Sequence, residues 1–133
     1  MFKPVKEVDA LHYIPLAASL TVTKGEALWD DTNGYLTNAS PTAVTEVLYV
    51  AAESVTTASA TYTPIACYSA FETEFEADTD ANPAQTDVFT KCDLATASTV
   101  NPDASSNDTF LITEIVGAVA DRKVRGRFVQ KVV

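Results

Sequence analysis

The sequence has few of the side chains on which most enzymes depend. It contains one histidine, His12, and two cysteines, Cys67 and Cys92, and none of them is spaced as a set of metal ligands. There is no nucleophile elbow, glycine-rich phosphate loop or zinc signature. Acidic residues are so numerous that a pair of carboxylates carries no catalytic information. We therefore expect a protein that is not an enzyme and that has no cofactor and no metal.

The sequence also lacks long apolar runs and an overall basic charge. No apolar run approaches the ~20 residues needed to span a bilayer. The net charge is −9, with −14 in residues 1–121 and +5 in residues 122–133. Because affinity for a duplex comes largely from neutralising phosphates, this balance predicts no nucleic-acid partner, and the hydropathy predicts no membrane partner. Acids and Pro15 interrupt any signal-peptide core after Lys3 and Lys6, so synthesis in a cytoplasm is expected.

What the sequence does have is the pattern of a β-protein. Thr and Val are abundant among its 133 residues, and both suit a pleated strand. Residues 109–133 contain an apolar run that ends at Gly117, and then a segment in which charged and apolar residues alternate. Period-two alternation predicts a strand with one exposed and one buried face, so we expect two adjacent strands or a hairpin here. Cys67, in an apolar run, is expected to be a buried thiol, and a bond to Cys92 is left open.

Turn residues divide the remainder into short strands. Asn33-Gly34 predicts a two-residue hairpin loop between residues 27–31 and 35–38, because both residues tolerate positive φ. The only Trp, Trp29, is interpreted as a core or hairpin anchor. Further strands are expected over residues 19–23, 45–54, 61–70, 71–80 and 88–94, with an exposed loop over residues 95–108.

Two charge stripes have the same period of two residues. Acids from Glu72 to Asp80 alternate with Phe71, Phe75 and smaller residues, and Lys123, Arg125 and Arg127 alternate with apolar residues. Like charges along one strand face repel each other unless cations lie beside them. The stripes therefore pair within one sheet, or one or both of them meet a neighbouring subunit, with Glu74 and Glu76 facing Arg125 and Arg127 of the next copy.

The first 17 residues show no clean period. Pro4 and Pro15 disfavour a continuous helix, so we expect an extended arm over residues 1–17, followed by a single β domain over residues 18–133. Phe2, Val5 and Tyr13 give this arm a large apolar load. We therefore expect it to dock on its own domain or on a neighbour.

A family resemblance runs along residues 19–129. The chain passes through KGEAL at 24–28, NGYL at 33–36, the segment 47–52, Asp93-Leu94, a loop with Asp103, Phe110–Ile115 and a closing strand that ends at Phe128. This order of segments resembles that of the small capsid decoration (cement) proteins of tailed bacteriophages. The resemblance implies an all-β fold, a compact antiparallel β-barrel or β-tulip-like domain. It also implies no catalysis.

The resemblance further implies a place in the virion. Such a protein binds the major capsid protein on the outside of an icosahedral capsid and stabilises it, commonly as a homotrimer. Competing interpretations are a phage tail-tube or fibre β module and a free-standing β-barrel ligand-binding domain. The residues expected to contact the capsid or another subunit are Phe2, Lys3, Val5, Lys6, Tyr13, Glu74, Glu76, Arg125 and Arg127.

Overall fold

A computed structural model describes residues 1–6, 10–40 and 46–130 of the protein. The fold is all-β, as the sequence predicted, with two short 3₁₀ turns at Gln85–Asp87 and Val119–Asp121. The strands are β1 (Lys3–Pro4), β2 (His12–Pro15), β3 (Thr21–Val22), β4 (Ala27–Asp30), β5 (Leu36–Asn38), β6 (Tyr49–Ala51), β7 (Val55–Thr56), β8 (Pro64–Ser69), β9 (Phe75–Thr79), β10 (Lys91–Thr96), β11 (Thr99–Asn101), β12 (Phe110–Ile115) and β13 (Lys123–Phe128).

The larger sheet closes into a barrel of five strands. Its order is β9-β11-β10-β12-β13, and pairing of β13 with β9 closes the ring. All of these pairs are antiparallel except β11 with β9, which is parallel. The two adjacent strands predicted at the C-terminal end are confirmed as β12 and β13. Along β13, Val124, Gly126 and Phe128 are buried, whereas the charged residues between them lie on the outer face.

A second sheet packs against the barrel and is apolar on both faces. Its order is β2-β8-β6-β4-β5, and a parallel bridge between Leu16 and Leu36 joins its two edges. Val50 points into the core that it shares with the barrel, while the adjacent Ala51 points into a second core inside the curled sheet. Two buried faces explain why segments 47–52 and 65–68 are nearly continuous apolar runs. β3 and β7 form a separate two-stranded sheet.

The structure does not confirm a separate N-terminal arm. β1 pairs with β9 beside β11, and β2 pairs along its whole length with β8. Phe2 is 2% exposed and Leu16 is completely buried. The apolar residues of this segment left open whether it docks on its own domain or on a neighbour. The described residues of the segment dock on their own domain; residues 7–9 lie outside the description.

The predicted two-residue hairpin turn is wrong in length. β4 and β5 do form a hairpin, in which Asp30 is opposite Leu36. The Asp31 N–H donates to the Tyr35 carbonyl, so the loop between Asp31 and Tyr35 has three residues. Thr32 and Gly34 have positive φ, whereas Asn33 does not. The aspartates explain this, because Oδ1 of Asp30 and Oδ1 of Asp31 each accept two backbone N–H groups of the loop. Trp29, in β4, packs on the core as predicted.

The prediction of an exposed loop over residues 95–108 is wrong for the first half of that segment. β10 continues to Thr96, and β11 returns at once to pair with both β10 and β9. The rest of the segment is folded around Asp93, which is 6% exposed. Its carboxylate accepts the backbone N–H groups of Ser106, Asn107 and Asp108 at 3.1, 2.7 and 3.0 Å. A buried side chain, rather than local sequence, therefore orders this loop.

Other strand predictions hold with shorter bounds. The strict alternation of residues 71–80 is confirmed in β9, whose burial alternates residue by residue. Pro64 begins β8, as expected of a residue that cannot donate a ladder hydrogen bond. Segment 45–54 contains β6, although residues 41–45 lie outside the description. β10 begins at Lys91, because the segment before it forms a 3₁₀ turn at Gln85–Asp87.

Candidate functional site

The acidic stripe of β9 and the basic stripe of β13 lie side by side on the outer face of the barrel. Lys123 Nζ is 2.8 Å from Oδ1 of Asp78, and the amino group of Met1 is 2.7 Å from Oδ2 of the same carboxylate. Burial alone would raise the pKa of Asp78, but hydrogen bonds from Lys123 and the amino group outweigh it and lower that pKa below its usual value. The hydrogen bond to Asp78 in turn raises the pKa of Lys123. At this end of the stripes the charges are therefore paired within the chain.

Arg125 lies between two carboxylates from neighbouring strands. It is the register partner of Glu76 on β9 and of Glu114 on β12, and its Nη1 is 3.9 Å from Oε2 of Glu114. On the other side of Glu76, the register partner is Lys3 of β1. Positive and negative residues thus alternate across four adjacent strands. This arrangement uses Glu76 and Arg125, two of the predicted subunit contacts, inside one chain.

The remaining stripe residues differ in their availability. Glu74 is half-buried, and its carbonyl accepts the N–H of the half-buried Val5. Arg127 is exposed, has Leu111 as its register partner, and forms no ion pair among the described residues. Arg127 is therefore the member of the basic stripe that is most accessible to a partner.

Phe2 is not available as a contact for a capsid or another subunit. Its ring packs on Phe75, Phe110 and Phe128 at centroid distances of 6.4, 5.6 and 4.8 Å. Lys3 points away from the core because successive side chains of an extended segment point to opposite faces, and Lys6, beyond β1, is exposed as well. The prediction for Phe2 is corrected, and the apolar residue that suggested an intermolecular contact is part of the core.

A shallow groove of about 590 Å³ lies between the N-terminal segment and the second sheet. Its apolar lining comes from Val5, Leu11 and Tyr68, and its lysines are Lys3, Lys6 and Lys24. Among the described residues, no acid lines it. Nothing in the sequence marks Lys24 as a member of this group, because the approach of residues 24–25 to the N-terminal segment is a tertiary contact. The structure thus gathers cations into one place on an acidic protein.

Among the residues that the structure describes, two tyrosines and one phenylalanine have exposed aromatic rings. Tyr13, on β2, is 67% exposed, as expected of a candidate contact residue. Tyr62 stacks on Tyr35 with ring centroids 4.2 Å apart, so each covers one face of the other. Phe89 is 79% exposed and lies just before β10, where the sequence predicted an ordinary strand residue. No periodic signal distinguishes Phe89, since its exposure follows from a turn with φ of 68°.

Both cysteines are free and buried. Burial raises the pKa of Cys67 to about 12, and burial together with nearby aspartates raises the pKa of Cys92 to about 12. Since the thiolate is the reactive form, these raised pKa values leave almost no reactive thiolate at either side chain near neutral pH. The question of a disulfide is thereby settled for this structure.

Within residues 1–6, 10–40 and 46–130, no group of three or more His, Cys, Asp or Glu side chains is arranged to hold a metal ion. Over the same residues, the structure contains no helix with the length and hydropathy required to cross a membrane. Comparison with known proteins found no matching family model, no matching curated protein and no matching solved structure.

Proposed function

We propose that this protein is a structural virion protein, a decoration or cement protein that binds the outer surface of an icosahedral phage capsid and stabilises it. Its partner is the major capsid protein, and its copies associate as homotrimers. The observation that carries the proposal is the order of sequence segments that resembles the decoration proteins, here carried by a β-barrel of the kind that the resemblance implies. The proposed site of action is the capsid exterior.

Two properties of the chain suit this role. Closure of the five-stranded barrel removes the free edges of its two end strands, and a protein crowded among identical copies benefits because free edges promote uncontrolled pairing. The two buried thiols with raised pKa resist oxidation outside the reducing cytoplasm. The contacts proposed for capsid binding are those predicted residues that remain accessible: Lys3, Lys6, Tyr13 and Arg127.

The test uses capsids of the phage that carries this gene, assembled without the protein. Purified protein is added, particles are separated from free protein by sedimentation, and the bound copies are located by cryo-electron microscopy. We expect density on the head exterior and a higher melting temperature of the decorated particles. Density on the tail would favour a tail-tube or fibre module, and failure to bind any particle would favour a free-standing ligand-binding domain.

A matched pair of variants identifies the surface that contacts the capsid. Tyr13→Ser removes the exposed ring on β2, whereas Tyr62→Ser removes a ring that already stacks on Tyr35. We expect Tyr13→Ser to lower occupancy on particles and Tyr62→Ser to leave it close to the unmodified level. Equal occupancy for both variants would exclude Tyr13 from the contact.

A further inference from the structure

We propose that Asn33 is a site of spontaneous deamidation and that the carboxylate of Asp30 slows this reaction in the folded protein. Asn33 is exposed in the loop between β4 and β5, and Gly34 follows it. Glycine lacks the Cβ that would hinder an approach to its backbone nitrogen, and the space that a Cβ would occupy at Gly34 is open. Capsid binding plays no part in the reaction.

The reaction needs only this segment of the chain and water. The backbone nitrogen of Gly34 loses its proton, and its electron pair forms a bond to Cγ of Asn33. The bond from Cγ to Nδ2 breaks, and Nδ2 takes up a proton and leaves as ammonia. The resulting cyclic imide then adds water: attack at Cγ gives aspartate, and attack at the main-chain carbonyl carbon gives isoaspartate. Water is consumed and ammonia released, and nothing is oxidised or reduced.

The other asparagines each lack one of these conditions. Asn82 and Asn101 precede prolines, whose nitrogen carries no proton to lose. Asn38 is half-buried at the end of β5, and its side-chain amide donates to a glutamate oxygen at 2.9 Å. Asn107 is half-buried in the loop that a buried aspartate orders. Asn33 is the asparagine that is both exposed and followed by glycine.

The loop restrains the attacking nitrogen. The Gly34 N–H donates to Oδ1 of Asp30 at 3.1 Å, and the Thr32 N–H donates to the same oxygen at 3.0 Å. Loss of the Gly34 proton would leave a negative nitrogen beside a carboxylate, which repulsion between like charges disfavours. Attack on Cγ also requires the nitrogen to turn away from a hydrogen bond to a charged acceptor, which is one of the stronger kinds. Asp30 therefore opposes both the deprotonation and the approach.

Neighbouring contacts limit rotation of the chain on both sides of Gly34. The N–H groups of Asn33 and Tyr35 donate to Oδ1 of Asp31 at 2.8 and 3.1 Å. The ring of Tyr35 also stacks on the ring of Tyr62, with centroids 4.2 Å apart. An unfolded chain has none of these contacts, so folding should slow the reaction at Asn33.

The experiment measures the rate of deamidation at Asn33 by mass spectrometry of peptides, after incubation of the whole protein in warm, mildly alkaline buffer. Conversion adds a negative charge, so anion-exchange chromatography gives a second readout. We expect Asp30→Ala to react at least about tenfold faster than the unmodified protein, the factor that corresponds to loss of a hydrogen bond to a charged group. Asp103→Ala, which removes an exposed carboxylate from another loop, should react at the unmodified rate.

Two further measurements separate the chemistry from the stability of the fold. The unmodified protein, unfolded in guanidinium chloride, should react at Asn33 faster than the folded protein does. Asp30→Asn keeps an acceptor oxygen without the charge, so it should retain the hairpin and react at an intermediate rate. Any of three results overturns the proposal: no conversion at Asn33 in the unfolded protein, equal rates in the folded and unfolded protein, or no acceleration in either Asp30 variant.

Discussion

The ring of Phe2 lies 4.8 Å from the ring of Phe128, measured between centroids. Phe2 precedes the first strand and Phe128 ends the last, so both extremes of the strand order meet in one aromatic cluster. Phe75 and Phe110 complete the cluster, and all four rings are buried. The N-terminal segment is consequently part of the barrel's packing, so its truncation should destabilise the domain.

Phe2→Ala should lower the free energy of unfolding by about 3–5 kcal/mol, because it removes a buried aromatic ring and leaves a cavity among three others. Urea unfolding followed by fluorescence measures the change. Lys3→Ala is the matched control, since Lys3 follows Phe2 directly in the chain and its side chain is exposed. Similar unfolding midpoints for the two variants would show that Phe2 does not pack in the core.

Gly126→Ala should destabilise the barrel by roughly 1–3 kcal/mol through overpacking. A Cβ at this position would overlap the Leu111 carbonyl oxygen and the ring of Phe110. Gly34→Ala is the control: the space around its Cβ is open, and only the strain at φ of 85° opposes the substitution, at about 1 kcal/mol. Thermal and urea unfolding should rank Gly126→Ala as the more damaging change, and the reverse ranking would contradict the close packing of β12 on β13.

Arg125→Glu and Arg127→Glu should have different effects. The first replaces the cation between Glu76 and Glu114 with another carboxylate, so we expect a loss of about 1–2 kcal/mol of stability, greater at low salt. The second changes an exposed residue and should cost much less. Unfolding at two ionic strengths distinguishes them. Equal and small losses of stability for the two variants would mean that Arg125 is free to contact a neighbouring subunit.

The ion pair at Asp78 should give a modest dependence of stability on pH. The folded-state pKa of Asp78 is lowered, so the carboxylate is stabilised by folding, and this contribution is present above its ordinary pKa of 3.8 and is lost as pH falls through the lower folded value. Lys123 has a raised pKa, so its contribution is present below 10.5 and is lost as pH rises through the folded value. Since both side chains are partly exposed, the effect should be within ~1 kcal/mol. Asp78→Asn should flatten the acid limb, and an unchanged slope would count against the pair.

Cys67 and Cys92 should not react with a thiol reagent such as Ellman's reagent in the folded protein at pH 8. Both are buried, and with pKa values of about 12 almost no thiolate is present. Two thiols should be titrated after unfolding in denaturant. Rapid reaction of either thiol before unfolding would show that its pocket opens, and detection of fewer than two after unfolding would indicate a disulfide or prior oxidation.

Sequence patterns predicted the strands whose side chains alternate between exposed and buried. They predicted the pairing of the two charge stripes within one sheet only as one of two alternatives. The alternation in 71–80 and 123–128 reflects burial on one side of a barrel wall, so it could be read directly from the chain. The strands β10 and β11 were harder to predict. The Ser- and Thr-rich segment 95–108 has the composition of a loop, but pairing with β9 and the carboxylate of Asp93 give it structure.

The fold class, the strands that flank Gly34 and Gly117, and the acidic and basic stripes could therefore be predicted from the sequence, because each depends on neighbours within a few residues. Contacts between distant segments could not be predicted: Phe2 lies in the core, Arg125 faces Glu114, Lys24 joins Lys6 at a groove, and Phe89 is exposed. These depend on which segments meet across the closed barrel. Apolar content indicates how much surface must be buried, but not whether a segment buries it in its own domain or against a partner.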